Sequence, residues 1–180
     1  LFFVEVQKNG INGVKGLSRI NDLTLSPDGL HLYAVGFNDN ALVVFSRHAT
    51  DGTLDFAQLL LDGSNGVDGL AAASSVAVSP EGKHVYVTAF NDNAITLFSR
   101  NISTGALEFK KVYKDGLDGI DGLAGAFSVA VTANHVYIAG VTDDAIAVFS
   151  RNTSSGELTF AEKVVGSDIT PFDGVSHLTI

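Results

Sequence analysis

The chain has no cysteine, no methionine and no tryptophan, and only three prolines in 180 residues. Without cysteine there is no thiol nucleophile, no disulfide, no Cys-type zinc site and no Fe–S ligation. A translated chain normally begins with Met, whereas this one begins at Leu1, which predicts a processed chain or a piece of a longer one. Cationic side chains are scarce as well: 11 Lys+Arg stand against 20 Asp+Glu, a net charge of −9 that weighs against a general binder of nucleic-acid phosphates. No apolar run approaches the length of a membrane-spanning helix, so no transmembrane segment is expected. The G-x-S-x-G nucleophile turn, the phosphate loop G-x-x-x-x-G-K-[ST] and the dinucleotide motif G-x-G-x-x-G are all missing. Apolar residues nevertheless make up 46% of the chain, enough for a folded core and too many for a disordered segment.

What is present is repetition. GFNDNALVVFSR at 36–47, AFNDNAITLFSR at 89–100 and GVTDDAIAVFSR at 140–151 start 53 and 51 residues apart. INDLTLSPDGLHLYAV, SVAVSPEGKHVYVT and SVAVTANHVYIA precede them in the same order. Within each unit, apolar residues alternate with a period near two, and no helical stripe is convincing. In the middle unit this predicts a short inner strand around Val76–Val78, a second at 85–88, a third at 94–98 and a more polar outer strand at 107–113. The turns SPEG at 79–82, FNDNA at 90–94 and RNISTGA at 100–106 join them.

Four strands in about 50 residues, repeated with short connections, predict an all-β fold, the blades of a β-propeller. The ends do not coincide with blade ends. LFFVEVQKNGINGVKGL at 1–17 aligns with LEFKKVYKDGLDGIDGL at 107–123, so residues 1–16 read as the outer strand and connector of a preceding blade. Blade repeats follow at 17–69, 70–122 and 123–174, and VSHLTI at 175–180 reads as the start of a further inner strand. Three blades are too few for a closed ring, so a partial arc of a six- to eight-bladed ring is expected. Its partner would be the remainder of a larger propeller or a second copy of the chain.

The unit SVAVSPEGKHVYVTAFNDNAITLFSRN, followed by STGALEFKKV, resembles the lactonase-like β-propeller family of bacteria, with its 6-phosphogluconolactonase-like repeats. The resemblance covers almost the whole chain. It implies a propeller and, in its enzyme members, a polar site at the mouth of the central channel that acts on a lactone. No catalytic residue carries over, because the shared motifs recur in every blade whereas a catalytic set breaks the repeat.

Several repeated polar sets are candidate sites. The connector after each outer strand carries a polar residue every third position, each followed by glycine: Asp62, Asn65 and Asp68 in one copy, Asp115, Asp118 and Asp121 in the next, and Asn9, Asn12 and Lys15 in the first, where the lysine would oppose a cation; an eroded fourth copy keeps Asp168 and Asp173. Hard cations take six to eight oxygens, which makes Asp115, Asp118 and Asp121 the candidate Ca²⁺ site. Asp-Gly and Asn-Gly are equally common turn formers, and the spacing is not that of an EF-hand. Asp39, Asp92 and Asp143 share one position and are expected to hold their own bends through backbone N–H bonds. Arg47, Arg100 and Arg151 are expected to pair with carboxylates or to bridge blades, and Phe45, Phe98 and Phe149 to pack between sheets. His31, His84 and His135 stand at strand entrances and form no metal motif, His48 is a loop residue, and His177 departs from the repeat near the channel.

Two functions follow as expectations. Symmetric repeats without a visible catalytic set favour a noncatalytic scaffold or binding module for a protein or a small polar ligand. The resemblance implies the alternative, a lactone hydrolase with part of its catalytic set outside this chain. The resemblance, the acidity and the lack of cysteine favour an exported or cell-surface bacterial protein.

Overall fold

The computed structural model describes residues 3–166 and residue 178. Among them are twelve strands and no helix, hence no helix long and apolar enough to cross a membrane. The strands are β1 (Ile20–Leu25), β2 (His31–Gly36), β3 (Ala41–Arg47), β4 (Leu54–Leu61), β5 (Ala73–Val78), β6 (His84–Ala89), β7 (Ala94–Arg100), β8 (Leu107–Lys114), β9 (Ala126–Val131), β10 (His135–Gly140), β11 (Ala145–Arg151) and β12 (Leu158–Val165). They form three antiparallel four-stranded meanders, β1–β4, β5–β8 and β9–β12, called blades 1, 2 and 3 below. The first strands of neighbouring blades adjoin, β1 beside β5 and β5 beside β9. This places them on the inside of a partial propeller, with β4, β8 and β12 outermost.

The periodicity explains each layer. The second and third strands of a blade are sandwiched on both faces, so β6 is buried throughout, its His84 and Thr88 included. The outer strand β8 alternates because it has one wet face. A bulge recurs where the third strand meets the fourth, between Val44 and Phe45, Leu97 and Phe98, and Val148 and Phe149. Each of these phenylalanines is buried, and each meets the phenylalanine of its outer strand edge-on: Phe45 with Phe56 at 6.0 Å, Phe98 with Phe109 at 6.0 Å, and Phe149 with Phe160 at 5.4 Å.

The core lies in the seams between blades. Tyr33, Val35, Leu42 and Val44 of blade 1 pack against Val76, Val85, Val87 and Phe98 of blade 2. The second seam sets Tyr86, Ile95 and Leu97 against Val129, Val136, Ile138 and Phe149. Each fully buried side chain of this size contributes about 2 kcal/mol, which makes the seams the main source of stability. At the other face of blade 1, Val14 and Leu17 cover Ala34, Val43 and Phe45, while Leu23 and Leu25 stay exposed.

Residues 3–8 form no strand, contrary to the expectation from their alignment with the outer strands. They still run beside blade 1, where Gln7 Nε2 donates to the Leu54 carbonyl at 2.8 Å and the Leu54 N–H donates to Glu5. A strand needs a ladder partner, and among the described residues none pairs with 3–8. At the opposite end, the Leu178 N–H donates to Ser128 Oγ at 3.0 Å. Val76 N donates to Asp22 at 3.0 Å, and Val129 N to Ser75 Oγ at 3.4 Å, in the same way between the inner strands of successive blades. Leu178 thus takes the inner-strand place next to blade 3. Asp168, Asp173 and His177 lie outside the described residues.

Candidate functional site

Three polar sets repeat around the arc, and the structure uses each of them differently. The first is a buried lock across each seam. Arg100, at the end of β7, donates from Nε to Tyr33 Oη at 2.6 Å, from Nη2 to Asp28 Oδ2 at 3.0 Å and to His31 Nδ1 at 2.8 Å, and from Nη1 to its own blade's Gly82 carbonyl at 2.9 Å. The next seam repeats the lock: both Nη groups of Arg151 reach Glu81 at 2.8 Å, and Arg151 Nε reaches the Ala133 carbonyl at 3.1 Å. The tyrosines cross the seams too, Tyr33 donating to the Gly105 carbonyl at 3.0 Å and Tyr86 to the Gly156 carbonyl at 2.6 Å.

The protonation states follow from these contacts. Desolvation works against the Asp28 charge, but the Ser26 hydroxyl, the Leu30 N–H and Arg100 outweigh it and hold the carboxyl at about 2. Glu81 is likewise held at about 2, desolvation being outweighed by Arg151, backbone N–H and Ser79. Burial, reinforced by Arg100, pushes His31 down, so its ring is neutral and accepts from the guanidinium. Burial drives Tyr86 up to about 12, keeping its hydroxyl a donor. These arginines, histidines and carboxylates bridge blades; their groups are occupied by structure.

The second set is the acidic connectors. Asp62 and Asp115 accept the N–H groups of Leu70 and Leu123 at 2.9 Å and so close their own loops. Asp39, Asp92 and Asp143 do not hold their own bends. Their carboxylates accept N–H groups from the connector before the inner strand, at Ser18 (2.9 Å), Ala71 (2.8 Å) and Ala124 (3.0 Å). The sequence separation of about 20 residues concealed this contact, because only the folded blade brings the two loops together. In consequence the carboxylates that gather are Asp115, Asp121 and Asp143, with Asp62, Asp68 and Asp92 as their counterpart, each set within 4.8 Å. Asp118 is not among them; it sits exposed with φ 52° at the tip of the connector, as Asn12 and Asn65 do. Lysines supply counter-charge to both clusters: Lys163 pairs with Asp121 at 2.5 Å and Lys114 with Asp68 at 3.1 Å. The hydrogen bonds that both lysines donate to these carboxylates raise them above their ordinary value. Burial raises the Asp92 carboxyl despite its bond from the Ala71 N–H.

The third set lies where the inner strands begin, and here the repeat breaks. Asp22, Ser75 and Ser128 share one position; Asn21, Ser74 and Phe127 share the next; Arg19, Ala72 and Gly125 share a third, all three with positive φ of 53°, 55° and 63°. Ser75 Oγ donates to Asp22 Oδ2 at 2.7 Å, and buried Ser74 bonds to Thr88 and to the Ala126 carbonyl. Phe37, Phe90 and Phe127 form a half-buried row across the three blades, with ring centroids 6.4 Å apart at both steps. The Arg19 guanidinium lies 4.3 Å from the Phe37 centroid and is exposed. Among the described residues, its side chain is the one arginine side chain with no hydrogen bond or carboxylate partner; Arg47, Arg100 and Arg151 are all engaged. In the sequence, Arg19 and Phe127 are marked only as departures from an otherwise faithful repeat.

The family pattern "Lactonase, 7-bladed beta-propeller" matches residues 22–170. The chain belongs to this lactonase family. No curated protein matches it. Its fold is similar to the periplasmic gluconolactonase of Pseudomonas aeruginosa, with a TM-score of 0.69 and 22% identity over 84% of this chain and 40% of that one. It is also similar to a proposed 6-phosphogluconolactonase from Bacteroides uniformis, at 0.71 and 22% over 85% and 42%. A protein from Lactobacillus plantarum gives 0.70 and 17% over 90% and 44%. The chain therefore spans about two-fifths of the length of these structures, in keeping with three blades of a seven-bladed ring.

A groove of about 530 Å³ lies elsewhere, between the outer strands of blades 1 and 2, lined by Gln58, Leu60, Asn65, Val67 and Phe109 among others. Gln58 closes it by donating to the Leu107 carbonyl at 2.9 Å and accepting the Leu107 N–H at 2.8 Å. It is part of the seam, remote from the inner strands.

Proposed function

We propose that the chain forms three blades of a lactone-hydrolysing propeller and that the rim at Arg19, Phe37, Phe90 and Phe127 is part of the wall that receives the substrate. One observation carries this reading: the residues that depart from the repeat gather where the inner strands begin, while the repeated polar residues are consumed by seams and turns. Membership of the lactonase family supports the substrate class. Hydrolysis adds water across the acyl–oxygen bond of the ring and leaves a hydroxy carboxylate and a proton. Arg19 offers a fixed positive charge for a substrate anion or for the oxyanion that develops at the carbonyl, and the phenylalanine row offers an apolar face for the ring. The base that activates water belongs, in this reading, to blades beyond these three.

Proton release measured at constant pH, with gluconolactone and its 6-phosphate presented to the seven-bladed protein, tests the reading. Release above the spontaneous rate, reduced at least tenfold by Arg19→Gln, supports it; an unaltered spontaneous rate rejects it. The noncatalytic binding module is the second reading, favoured by the structural use of every repeated arginine and by the absence of an acid–base pair among the described residues at the rim. Lactone binding without proton release would select it. Export to the periplasm or cell surface is part of the proposal, and cell fractionation that leaves the protein in the cytoplasm would remove it.

A further inference from the structure

Asparagine followed by glycine occurs three times, as Asn9-Gly10, Asn12-Gly13 and Asn65-Gly66, and every copy lies in a connector. In such a step the glycine nitrogen can close a five-membered ring on the asparagine side-chain amide, because no Cβ crowds its approach. Ring closure needs a side-chain amide that is free to turn and a glycine N–H outside any hydrogen bond. Space does not separate the three steps, since nothing lies within 4 Å of where a Cβ on Gly10, Gly13 or Gly66 would stand. Hydrogen bonding separates them.

Asn9 is tied down. Its Oδ1 accepts the Leu17 N–H at 3.3 Å, its Nδ2 donates to Asp39 at 3.4 Å, and the Gly10 N–H donates to the Val14 carbonyl at 2.8 Å. The same lock recurs at Asp62, which accepts the Leu70 N–H while the Gly63 N–H reaches the Val67 carbonyl at 2.9 Å. Asn12 and Asn65 instead stand at the tips of their connectors, exposed, each with φ of 52°. Among the described residues, no hydrogen bond engages either side chain or the N–H of Gly13 or Gly66. One bond closes the tip at Asn65, from the Val67 N–H to the Ser64 carbonyl at 3.0 Å, and a local opening there frees its backbone to rotate. Asn65 follows β4 with blade 2 in place beyond it and is still exposed, so the exposure belongs to the connector itself. Asp118 holds the same corner with the same φ, and its turn closes in the same way, Ile120 N–H to the Leu117 carbonyl at 2.9 Å. The tip therefore accommodates a carboxylate without rearrangement.

We propose that Asn65, and Asn12 with it, are sites of self-catalysed deamidation, and that the hydrogen bonds around Asn9 shield the third Asn-Gly step from the same reaction. The Gly66 nitrogen gives up its proton to hydroxide and attacks Asn65 Cγ. The Cγ–Nδ2 bond then breaks, and ammonia leaves a cyclic imide. Water adds to either imide carbonyl, and the ring opens to aspartate or to isoaspartate, in which the main chain runs through the former side-chain carbonyl. The sum is one amide and one water giving one carboxylate and one ammonium ion, so nothing beyond solvent is consumed. Each event adds a negative charge at a connector tip. At Asn65 the aspartyl product gives the second connector the three carboxylates that the third already carries as Asp115, Asp118 and Asp121.

Ageing the intact protein in mildly alkaline buffer tests this, with isoelectric focusing to count new charges and peptide mapping to separate aspartyl from isoaspartyl forms at each step. Conversion at Asn65 and at Asn12 should run at least tenfold faster than at Asn9. In denaturant the shield is gone, and the three steps should convert at similar rates. Asn65→Asp should focus with the singly converted protein and keep the parent's cooperative melt, because Asp118 already stands in that corner. Asn65→Gln should remove one of the two charge steps and leave conversion at Asn12 unchanged. Native conversion at Asn9 as fast as at Asn65, or an Asn65 that stays intact in the fold while it converts in denaturant, would overturn the proposal.

Discussion

The seams and the channel rim are built from the same repeat, yet they behave as opposites. In the seams, Asp28 and Glu81, Arg100 and Arg151, and Tyr33 and Tyr86 recur with the same contacts. At the rim, Arg19, Asp22 and Phe127 each stand where the other blades have something else. Repetition marks what every blade needs in order to pack, and its failure marks what only one place in the ring must do. Among the described residues no buried polar side-chain atom lacks a partner, so the seams leave no unspent group, while the exposed Arg19 leaves its hydrogen-bonding edge to solvent.

This contrast can be broken most severely at a lock. Arg100→Met removes the partner of Asp28 and the cap on Tyr33 and should cost about 3 kcal/mol, discounted because Asp28 keeps some contact with water. Arg47→Met, the same change at the open face, should cost under about 0.5 kcal/mol. Denaturant melts of the two variants give the difference directly. Gly105→Ala comes next: its Cβ would lie 2.1 Å from His31 Cδ2 at a φ of 72°, and overpacking plus strain should cost about 3 kcal/mol. Gly52→Ala meets no such neighbour and should cost only the strain of its φ of 81°, about 1 kcal/mol.

Acid provides a milder perturbation. Asp28 and Glu81 titrate at about 2 in the fold, below ordinary values of 3.8 and 4.5. A depressed carboxyl contributes its stability above the unfolded value and loses it as pH falls through the folded one. The melting temperature should therefore decline between about pH 4.5 and pH 2, each carboxyl accounting for on the order of 2 kcal/mol before screening. Asp28→Asn with Glu81→Gln should flatten that decline. At the rim, Arg19→Gln should leave the melt within about 0.5 kcal/mol of the parent while weakening binding of an anionic lactone. The smallest effect belongs to Asp118. Calorimetric titration of the chelator-treated protein with Ca²⁺ should be unchanged by Asp118→Asn, and any uptake at the third connector should be lost in Asp143→Asn, because Asp143 completes that carboxylate group.

The architecture was legible in the chain of letters. A period near 50 residues, alternation within it and the three FSR segments specify four-stranded blades, because strand pattern and turn chemistry are local properties. Of the two uses the sequence left open for the repeated arginines, Arg100 and Arg151 make both, pairing with a carboxylate across a blade seam, while Arg47 bonds within its own blade. The carboxylate group was not legible: sequence spacing joined Asp118 to Asp115 and Asp121, and the fold turned Asp118 outward and brought Asp143 in from another loop. Likewise residues 3–8 align with an outer strand but form none, because a strand exists only against a neighbour. Sequence by itself determined the four strands of each of the three blade repeats, which depend on interactions among nearby residues. Tertiary structure alone decided which blade's carboxylate meets which arginine, which three aspartates share a pocket and where the repeat fails together, because those depend on distances between residues some 20 to 70 positions apart.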